Sequence, residues 1–118
     1  MKKINATKKG YMAEKDAVDD LKKDDWETFK PQKVSRFGSQ DIFRLYDICC
    51  RRGEYIRFIQ VKSTNTQGFL KKLKIDAARY TKQTNIGVEL WVRLNQRKEK
   101  KKWRKYCWIG GRLMKSEE

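Results

Sequence analysis

The chain has 118 residues, of which 30 are lysine or arginine and 15 are aspartate or glutamate; it has no histidine, and its formal net charge is +15. The lack of histidine excludes every nuclease or hydrolase mechanism that depends on an imidazole. The length predicts a single domain, residues 1–118. The basic excess predicts a polyanionic partner, and nucleic acid is favoured over a membrane because the sequence contains no basic amphipathic helix with an apolar insertion face.

The cysteines are Cys49, Cys50 and Cys107, an odd number without Cys-x-x-Cys spacing, which argues against a disulfide framework or a zinc site. No apolar run approaches the ~20 residues of a membrane span, and the lysine-rich start lacks the apolar core of a signal peptide. The sequence therefore predicts a cytoplasmic protein.

Apolar periodicity predicts an α/β class with two helices and five strands, in the order α-β-β-β-α-β-β. The predicted elements are a helix over 10–24, a strand over 26–32, a loop over 33–40, a hairpin over 46–52 and 55–63, a helix over 69–83, strands over 88–94 and 106–109, and a frayed tail over 115–118. Alternation in the 88–94 strand predicts that it is half-buried. Trp91 on its open face and Trp103 are candidates for a dimer face or for base stacking.

Glu14 lies within the apolar stripe of the first helix, three, four and seven residues before Ala17, Val18 and Leu21. A carboxylate on a buried face costs several kcal/mol unless it is paired or bound to a metal. Two interpretations follow: Glu14 is a metal ligand, or it closes the edge of the stripe and forms an ion pair with a surface lysine.

The hairpin brings three polar side chains onto one face. A two-residue turn at Gly53-Glu54 is expected because glycine tolerates the positive φ of a type II′ turn. Asp47 then faces Gln60, and Lys62 projects to the same face two residues further along. A carboxylate, an amide oxygen and an ammonium group therefore converge, which is typical of a metal and phosphate site.

The chain resembles the PD-(D/E)XK nuclease superfamily, and in particular the archaeal-type Holliday-junction resolvases that also occur in viruses. The resemblance is carried by Gly10-Tyr-Met-Ala-Glu14, Asp47-Ile and Ile59-Gln-Val-Lys62-Ser63. It covers about residues 8–109, leaving a basic N-terminal tail and a short C-terminal tail. It implies an α/β, restriction-endonuclease-like core with a mixed five-stranded sheet flanked by helices, in one nuclease domain. It also implies a homodimer and, for a viral protein, the host cytoplasm.

Two residues depart from that family's pattern. Tyr46 stands where the name-giving proline would be, which matters little because many members lack it. Gln60 stands where most members have Glu or Asp. It keeps an oxygen ligand but removes one negative charge, so metal binding is expected to be weaker or to depend more on Asp47 and Glu14.

Asp41 offers a second register, in which it replaces Asp47 as the acid of the hairpin. That spacing demands a longer loop and leaves Asp47 without a role on the apolar Leu45–Cys50 run. Asp47 is therefore preferred, with Asp41 as a supporting acid, as a residue close to the DNA, or as a cap of the turn that it ends.

The resemblance implies that Asp47 and Glu14, with the Gln60 side-chain oxygen and the Val61 carbonyl, hold one or two Mg²⁺ ions. Hard oxygen ligands suit Mg²⁺, and Mn²⁺ can substitute for it. Lys62 would orient the attacking water and stabilise the developing charge.

Basic clusters, and hydroxyl groups beside the site, predict the DNA contacts. The candidate DNA-binding residues are Lys9, Lys33, Ser35, Arg36, Ser39, Ser63, Lys71, Lys72, Lys100, Lys101 and Lys102. For the run over 97–105, a solvated loop is the alternative interpretation.

Together these features predict a Mg²⁺-dependent, structure-selective DNA endonuclease, a homodimeric Holliday-junction resolvase that acts on branched or double-stranded DNA in recombination and repair. Two alternatives stay open: a nicking, repair or restriction-like endonuclease of the same fold, and a non-catalytic basic DNA-binding module in which Gln60 marks lost metal affinity. Metal-dependent cleavage separates the enzymes from the module.

Overall fold

A computed structural model describes residues 6–31, 33–34, 38–39, 42–43, 45–63, 67–94 and 102–116. In these residues the protein is a mixed α/β structure. Its helices are α1 (Ala6–Lys23) and α2 (Gln67–Ala77), and a turn of 3₁₀ helix follows α2 at Ala78–Tyr80. Its strands are β1 (Glu27–Phe29), β2 (Lys33–Val34), β3 (Gly38–Ser39), β4 (Ile48–Arg52), β5 (Tyr55–Lys62), β6 (Ile86–Arg93), β7 (Trp103–Ile109) and β8 (Arg112–Ser116).

Six of these strands form one sheet in the order β1-β4-β5-β6-β7-β8, and β2 pairs with β3 separately. β5 and β6 run parallel, while the other neighbours in the sheet are antiparallel. Parallel neighbours need a crossover connection, and here α2 lies in the segment that joins β5 to β6.

Helix α1 packs a stripe of small and apolar residues against the sheet. Ala13, Ala17 and Leu21 recur every four residues and are buried. At the end of α1 the Trp26 N–H reaches back to the Leu21 carbonyl at 3.0 Å, with Asp25 in the left-handed region at φ 62°. This Schellman-type cap ends the helix and directs the chain into β1.

Two apolar clusters fill the interior, one on each face of the sheet. The cluster beneath α1 contains Ala13, Ala17, Leu21, Trp26, Ile48, Cys50, Ile59, Val61, Trp91 and Trp103. The cluster beneath α2 contains Tyr46, Leu73, Ala77, Val88, Leu90, Val92 and Trp108. Because side chains alternate along a strand, β6 supplies both clusters and lies at the centre of the protein.

The prediction of five strands is wrong by one strand in the main sheet. β8 pairs with β7 across Arg112–Ser116, where the sequence suggested only a tail, and the β2–β3 pair lies within the segment predicted as a loop. The prediction of a half-buried fourth strand is also wrong, because six of the eight residues of β6 are buried. Trp91 and Trp103 are core residues, 2% and 1% exposed, and offer no stacking surface.

None of the described helices is both long enough and apolar enough to span a bilayer.

Candidate functional site

The β4–β5 hairpin has the predicted register over the whole of β4. Gly53 has a φ of 60°, as the turn requires, and Arg52 lies opposite Tyr55. The pairing continues to Ile48 opposite Ile59. It stops there, one pair short of the predicted Asp47–Gln60 pair.

Asp47 departs from the ladder and uses its side chain instead. Its N–H donates to the Ile59 carbonyl at 2.9 Å, and its Oδ2 accepts a hydrogen bond from the Val61 N–H at 2.8 Å. In a regular ladder a carbonyl of the neighbouring strand would accept from that N–H. The Asp47 carboxylate thus lies near the plane of the sheet, just beyond the end of β4, and next to the peptide bond between Gln60 and Val61.

Gln60 is buried on the face of the sheet that α2 covers. It is 3% exposed, and it lies beside Leu90 of the cluster beneath α2. Among the residues that the structure describes, its Oε1 is a buried oxygen without a hydrogen-bond partner. An unsatisfied buried polar atom costs about 1–3 kcal/mol. A cation bound to this oxygen would remove that cost, so the donor chemistry at Gln60 fits a hard metal ion.

Lys62 shares the face of Gln60 and lies beside Val92. Its ammonium group lies 4.0 Å from the centroid of the Phe69 ring, at the start of α2. No carboxylate among the described residues forms an ion pair with it. The aromatic ring therefore orients the Lys62 charge without neutralising it, and the interaction is worth about 0.5–2 kcal/mol.

Glu14 is buried, 8% exposed, on the helix that covers the opposite face from Gln60. Its Oε1 lies 3.4 Å from the ammonium group of Lys30, the residue after β1. This ion pair is the second interpretation of Glu14 offered by the sequence. Glu14 can join a metal site at Asp47 only if the cation takes over the role of Lys30.

Within the described part of the chain, no three His, Cys, Asp or Glu side chains are grouped as a metal centre would require. The predicted ligand set has only two carboxylates, completed by an amide oxygen and a main-chain carbonyl. The Asp47 carboxylate accepts a hydrogen bond from the Val61 N–H, so it lies next to the residue that follows Gln60. These two residues are neighbours on the hairpin, whereas Glu14 is held by Lys30 on the other face of the sheet.

Several predicted DNA-binding residues lie near this site. Ser63 directly follows β5, and Lys71 and Lys72 are exposed on α2. The Lys72 ammonium lies 5.5 Å from the same Phe69 ring that holds Lys62. The start of α2 therefore gathers positive charge beside the end of β5.

Lys102 has a different environment from the one predicted for a DNA contact. Its ammonium group forms an ion pair with Asp20 of α1 at 3.1 Å. Asp20 also accepts a hydrogen bond from the Trp103 indole N–H at 2.7 Å. Burial raises the pKa of Asp20, but these two bonds outweigh it and lower the pKa below its usual value. The charge of Lys102 is thus already compensated within the protein.

The remaining predicted site residues are described only in part. Lys9 lies in α1, Lys33 in β2 and Ser39 in β3, with the backbone alone described. The predictions for Ser35, Arg36, Asp41, Lys100 and Lys101 lie outside the described residues.

Two residues that shape the site were not singled out in the sequence. Phe69 orients Lys62, and Lys30 pairs with Glu14. Lys30 could have been suspected from the buried carboxylate, which needs a cation nearby. Phe69 could not, because its contact with Lys62 depends on where α2 packs against β5, which is a property of the tertiary structure.

A second polar feature lies at the opposite end of β5. Arg57 donates two hydrogen bonds to the buried carboxylate of Glu89, and the Trp91 indole N–H donates a third at 2.9 Å. A cavity of about 290 Å³ lies over this pair, with Trp26 in its wall and Gly87 leaving room in its floor. Burial lowers the pKa of Arg57, but its bonds to Glu89 outweigh this effect and raise it. This ion pair is buried and satisfied, and it stands apart from the candidate site.

Comparison of the chain with protein-family models, with curated proteins and with solved structures finds no match. The function must therefore be inferred from the site itself.

Proposed function

We propose that this protein is a metal-dependent DNA endonuclease that cleaves branched DNA, with its site at the end of the β4–β5 hairpin. The observation that carries the proposal is the buried Oε1 of Gln60, which has no hydrogen-bond partner among the described residues and whose neighbour Val61 donates its N–H to the Asp47 carboxylate. Such an oxygen destabilises the fold when it has no partner, whereas a bound Mg²⁺ ion would satisfy it. The net charge of +15 supports a polyanionic substrate.

The arrangement of elements also supports a restriction-endonuclease-like core. An antiparallel hairpin carries the candidate residues, α2 crosses over to a parallel neighbour, and α1 covers the other face of the sheet. We further propose that the protein acts as a homodimer, because cutting two strands of a four-way junction requires two sites. Exposed Leu113 and Met114 on the edge strand β8 are consistent with an interface between subunits.

Each residue of the site has a definite task under this proposal. Asp47 and Gln60 would hold a divalent cation, which when bound supplies positive charge to the phosphodiester and lowers the pKa of a water molecule. Lys62, whose charge is not neutralised by a described carboxylate, would stabilise the negative charge that develops on the phosphate. Lys71 and Lys72 would bind neighbouring phosphates.

A labelled four-way junction tests the proposal directly. Incubation with Mg²⁺ should give paired, symmetrical nicks near the branch point, and incubation with EDTA should give none. A linear duplex of the same sequence is the control, and it should remain uncut at the same enzyme concentration. Equal cleavage of both DNAs would replace the resolvase with a general nuclease. An absence of cleavage with both Mg²⁺ and Mn²⁺ would refute the enzyme.

A series at Gln60 tests the metal site without relying on cleavage. Mg²⁺ at ten times its dissociation constant should stabilise the wild-type fold by about 1.4 kcal/mol. Gln60→Glu adds a charge, so it should lower the Mg²⁺ concentration that gives half of this effect. Gln60→Leu should lose the effect and, because it removes an unsatisfied oxygen, raise the metal-free stability by about 1–3 kcal/mol. Identical Mg²⁺ dependence in all three proteins would show that Gln60 does not contact the metal.

A non-catalytic DNA-binding module is the second candidate, and the Glu14–Lys30 ion pair favours it. The pair supplies Glu14 with a cation from the protein itself, at 3.4 Å, so that no metal is needed for that carboxylate. Lys30→Met separates the two functions. In an enzyme it should free Glu14 and increase the stabilisation by Mg²⁺, whereas in a binding module it should only destabilise the fold, because it leaves Glu14 buried without that partner.

A further inference from the structure

Phe43 combines two unusual properties. Its side chain is 69% exposed, the largest exposed fraction among the exposed large apolar residues of the described chain. Its backbone lies in the left-handed region, at φ 53°. A bulky residue rarely adopts this conformation, because its side chain then crowds its own backbone. Strain of this kind persists where the surrounding structure enforces it, and it concentrates at binding sites.

The surroundings of Phe43 fix it from one side only. Ile42 and Tyr46 exchange two backbone hydrogen bonds, of 2.8 and 3.0 Å, which close the loop around Phe43. Tyr46 is fully buried and donates its hydroxyl hydrogen bond to Asp76 of α2. The Phe43 ring meets Phe58 at 5.6 Å and at an interplanar angle of 66°. This edge contact holds the Phe43 ring in place, and Phe58 does not stack on the face of that ring.

The ring also lies beside the candidate site. Phe58, which holds it, projects to the same face of β5 as Gln60 and Lys62, because side chains alternate along a strand. The step from Phe58 to Gln60 is about 7 Å at the usual rise of a strand. The loop that carries Phe43 leads directly into Asp47, and the exposed residues of α2 on this face include Lys71 and Lys72. An aromatic face next to a basic surface is the arrangement that binds unpaired nucleotides.

We infer that Phe43 stacks against an unpaired base next to the phosphate that Lys62 would contact. The inference rests on the proposed function and names the feature of DNA that the site selects, which is a base released from its partner at a branch point or bulge. A perfect duplex offers no such base, so the contact would favour interrupted DNA. Loss of one base–aromatic stack should weaken binding by about 5- to 150-fold.

Equilibrium binding in EDTA tests this inference independently of cleavage. The probes are a duplex with one unpaired 2-aminopurine and the same duplex fully paired. Phe43→Ala and Phe43→Leu should lose affinity for the first probe by the factor above, with less than about a twofold change on the second. Phe43→Trp should retain the affinity, since indole stacks as well as phenyl. Phe29→Ala, at a residue 61% exposed on β1, is the matched control and should change neither affinity.

The 2-aminopurine fluorescence should change on binding to the wild-type protein and to Phe43→Trp, because stacking on the ring moves the base out of its own stack, but it should not change on binding to Phe43→Leu. An equal loss of affinity for both probes, or no loss for either, would overturn the inference and leave Phe43 as a contact for another protein. Cleavage of a four-way junction is read separately. If binding depends on Phe43 but no junction is cleaved, the proposed nuclease is refuted and the stacking site stands. If the junction is cleaved but binding does not depend on Phe43, the nuclease stands and the stacking site is refuted.

Discussion

The hydroxyl group of Tyr46 donates a hydrogen bond to Oδ2 of Asp76, 30 residues away in sequence, and thereby fastens the residue before Asp47 to helix α2. Burial and this bond to a carboxylate raise the pKa of the Tyr46 hydroxyl, so that it remains a neutral donor at neutral pH. Asp76 also forms an ion pair with Arg79 at 3.3 Å. The position of the candidate acid Asp47 is thus fixed through its neighbour Tyr46 to helix α2.

Tyr46→Phe should lower the free energy of unfolding by about 1–3 kcal/mol, because it leaves a partly buried carboxylate without its donor. Urea denaturation measures the change. Tyr55→Phe is the matched control, since Tyr55 is 59% exposed, and it should stay within about 0.5 kcal/mol of the wild type. Equal stabilities for the two variants would mean that the Tyr46 bond has no net value.

Asp47→Asn and Asp47→Ala should differ in stability but agree in activity. The asparagine oxygen can still accept the hydrogen bond from the Val61 N–H, so Asp47→Asn should keep the fold, whereas Asp47→Ala should lose about 1 kcal/mol. Both should abolish cleavage, and both should bind a junction as tightly as the wild type or more tightly, because a negative charge near phosphate is removed. Cleavage by Asp47→Asn at the wild-type rate would transfer the role to Asp41.

The salt dependence of DNA binding should distinguish exposed lysines from paired ones. Replacing Lys71 and Lys72 by alanine should reduce the slope of log affinity against log salt by about 1.8, since each neutralised phosphate contributes about 0.9. Lys102→Ala should leave the slope unchanged, because Asp20 already compensates that charge. Lys22 and Lys23, exposed at the end of α1, provide a double-alanine control. A larger effect at Lys102 than at Lys71 and Lys72 would reverse this assignment.

The thiols of Cys50 and Cys107 should be unreactive in the folded protein. Burial raises the pKa of each thiol to about 12, and burial also raises the pKa of Cys49, which is only half-buried. At pH 8 the two deeper cysteines should react with iodoacetamide roughly a thousandfold more slowly than in urea, because only the thiolate attacks. Cys49 should be modified first. Comparable rates for all three cysteines in the native state would contradict this order.

The same shifts have a consequence for stability. A thiol whose pKa is raised on folding contributes stability that is complete below the unfolded value, near 8.5, and is lost as the pH rises towards 12. The free energies of unfolding of Cys50→Ala and of the wild type should therefore converge as the pH rises over this interval. Urea denaturation of both proteins at several pH values measures the difference.

The hairpin could be predicted from the sequence because its register depends on local chemistry. Gly53 supplies the positive φ, and the alternation of the two strands then determines which side chains share a face. The detour at Asp47 could not be predicted, because a carboxylate that replaces a strand carbonyl leaves no signature in the pattern. The pairing of Glu14 with Lys30 depends on where α1 and β1 meet, which is a property of the tertiary structure.

The misassignments in the sheet have a related cause. An alternating pattern of large residues indicates one open face, but Trp91 and Glu89 are covered by α1 and by the ion pair with Arg57. A glutamate in such a pattern indicates a solvent-exposed face. Glu89 can be buried only because Arg57, which is distant in sequence, pairs with it. The turn at Gly110 and Gly111, both with positive φ, is the same kind of local signal as Gly53, so the pairing of β8 with β7 could also have been predicted from the sequence.

The two-residue turn at Gly53 also implies an order of events during folding. A hairpin with so short a loop forms in about 1–10 μs, whereas the parallel pairing of β5 with β6 must wait for the crossover through α2. The strands next to Asp47, Gln60 and Lys62 are therefore aligned by an early, local contact of the chain. The Gln60 oxygen becomes enclosed only later, when α2 docks. A nascent chain would carry its candidate metal ligands in place before the fold that buries them is complete.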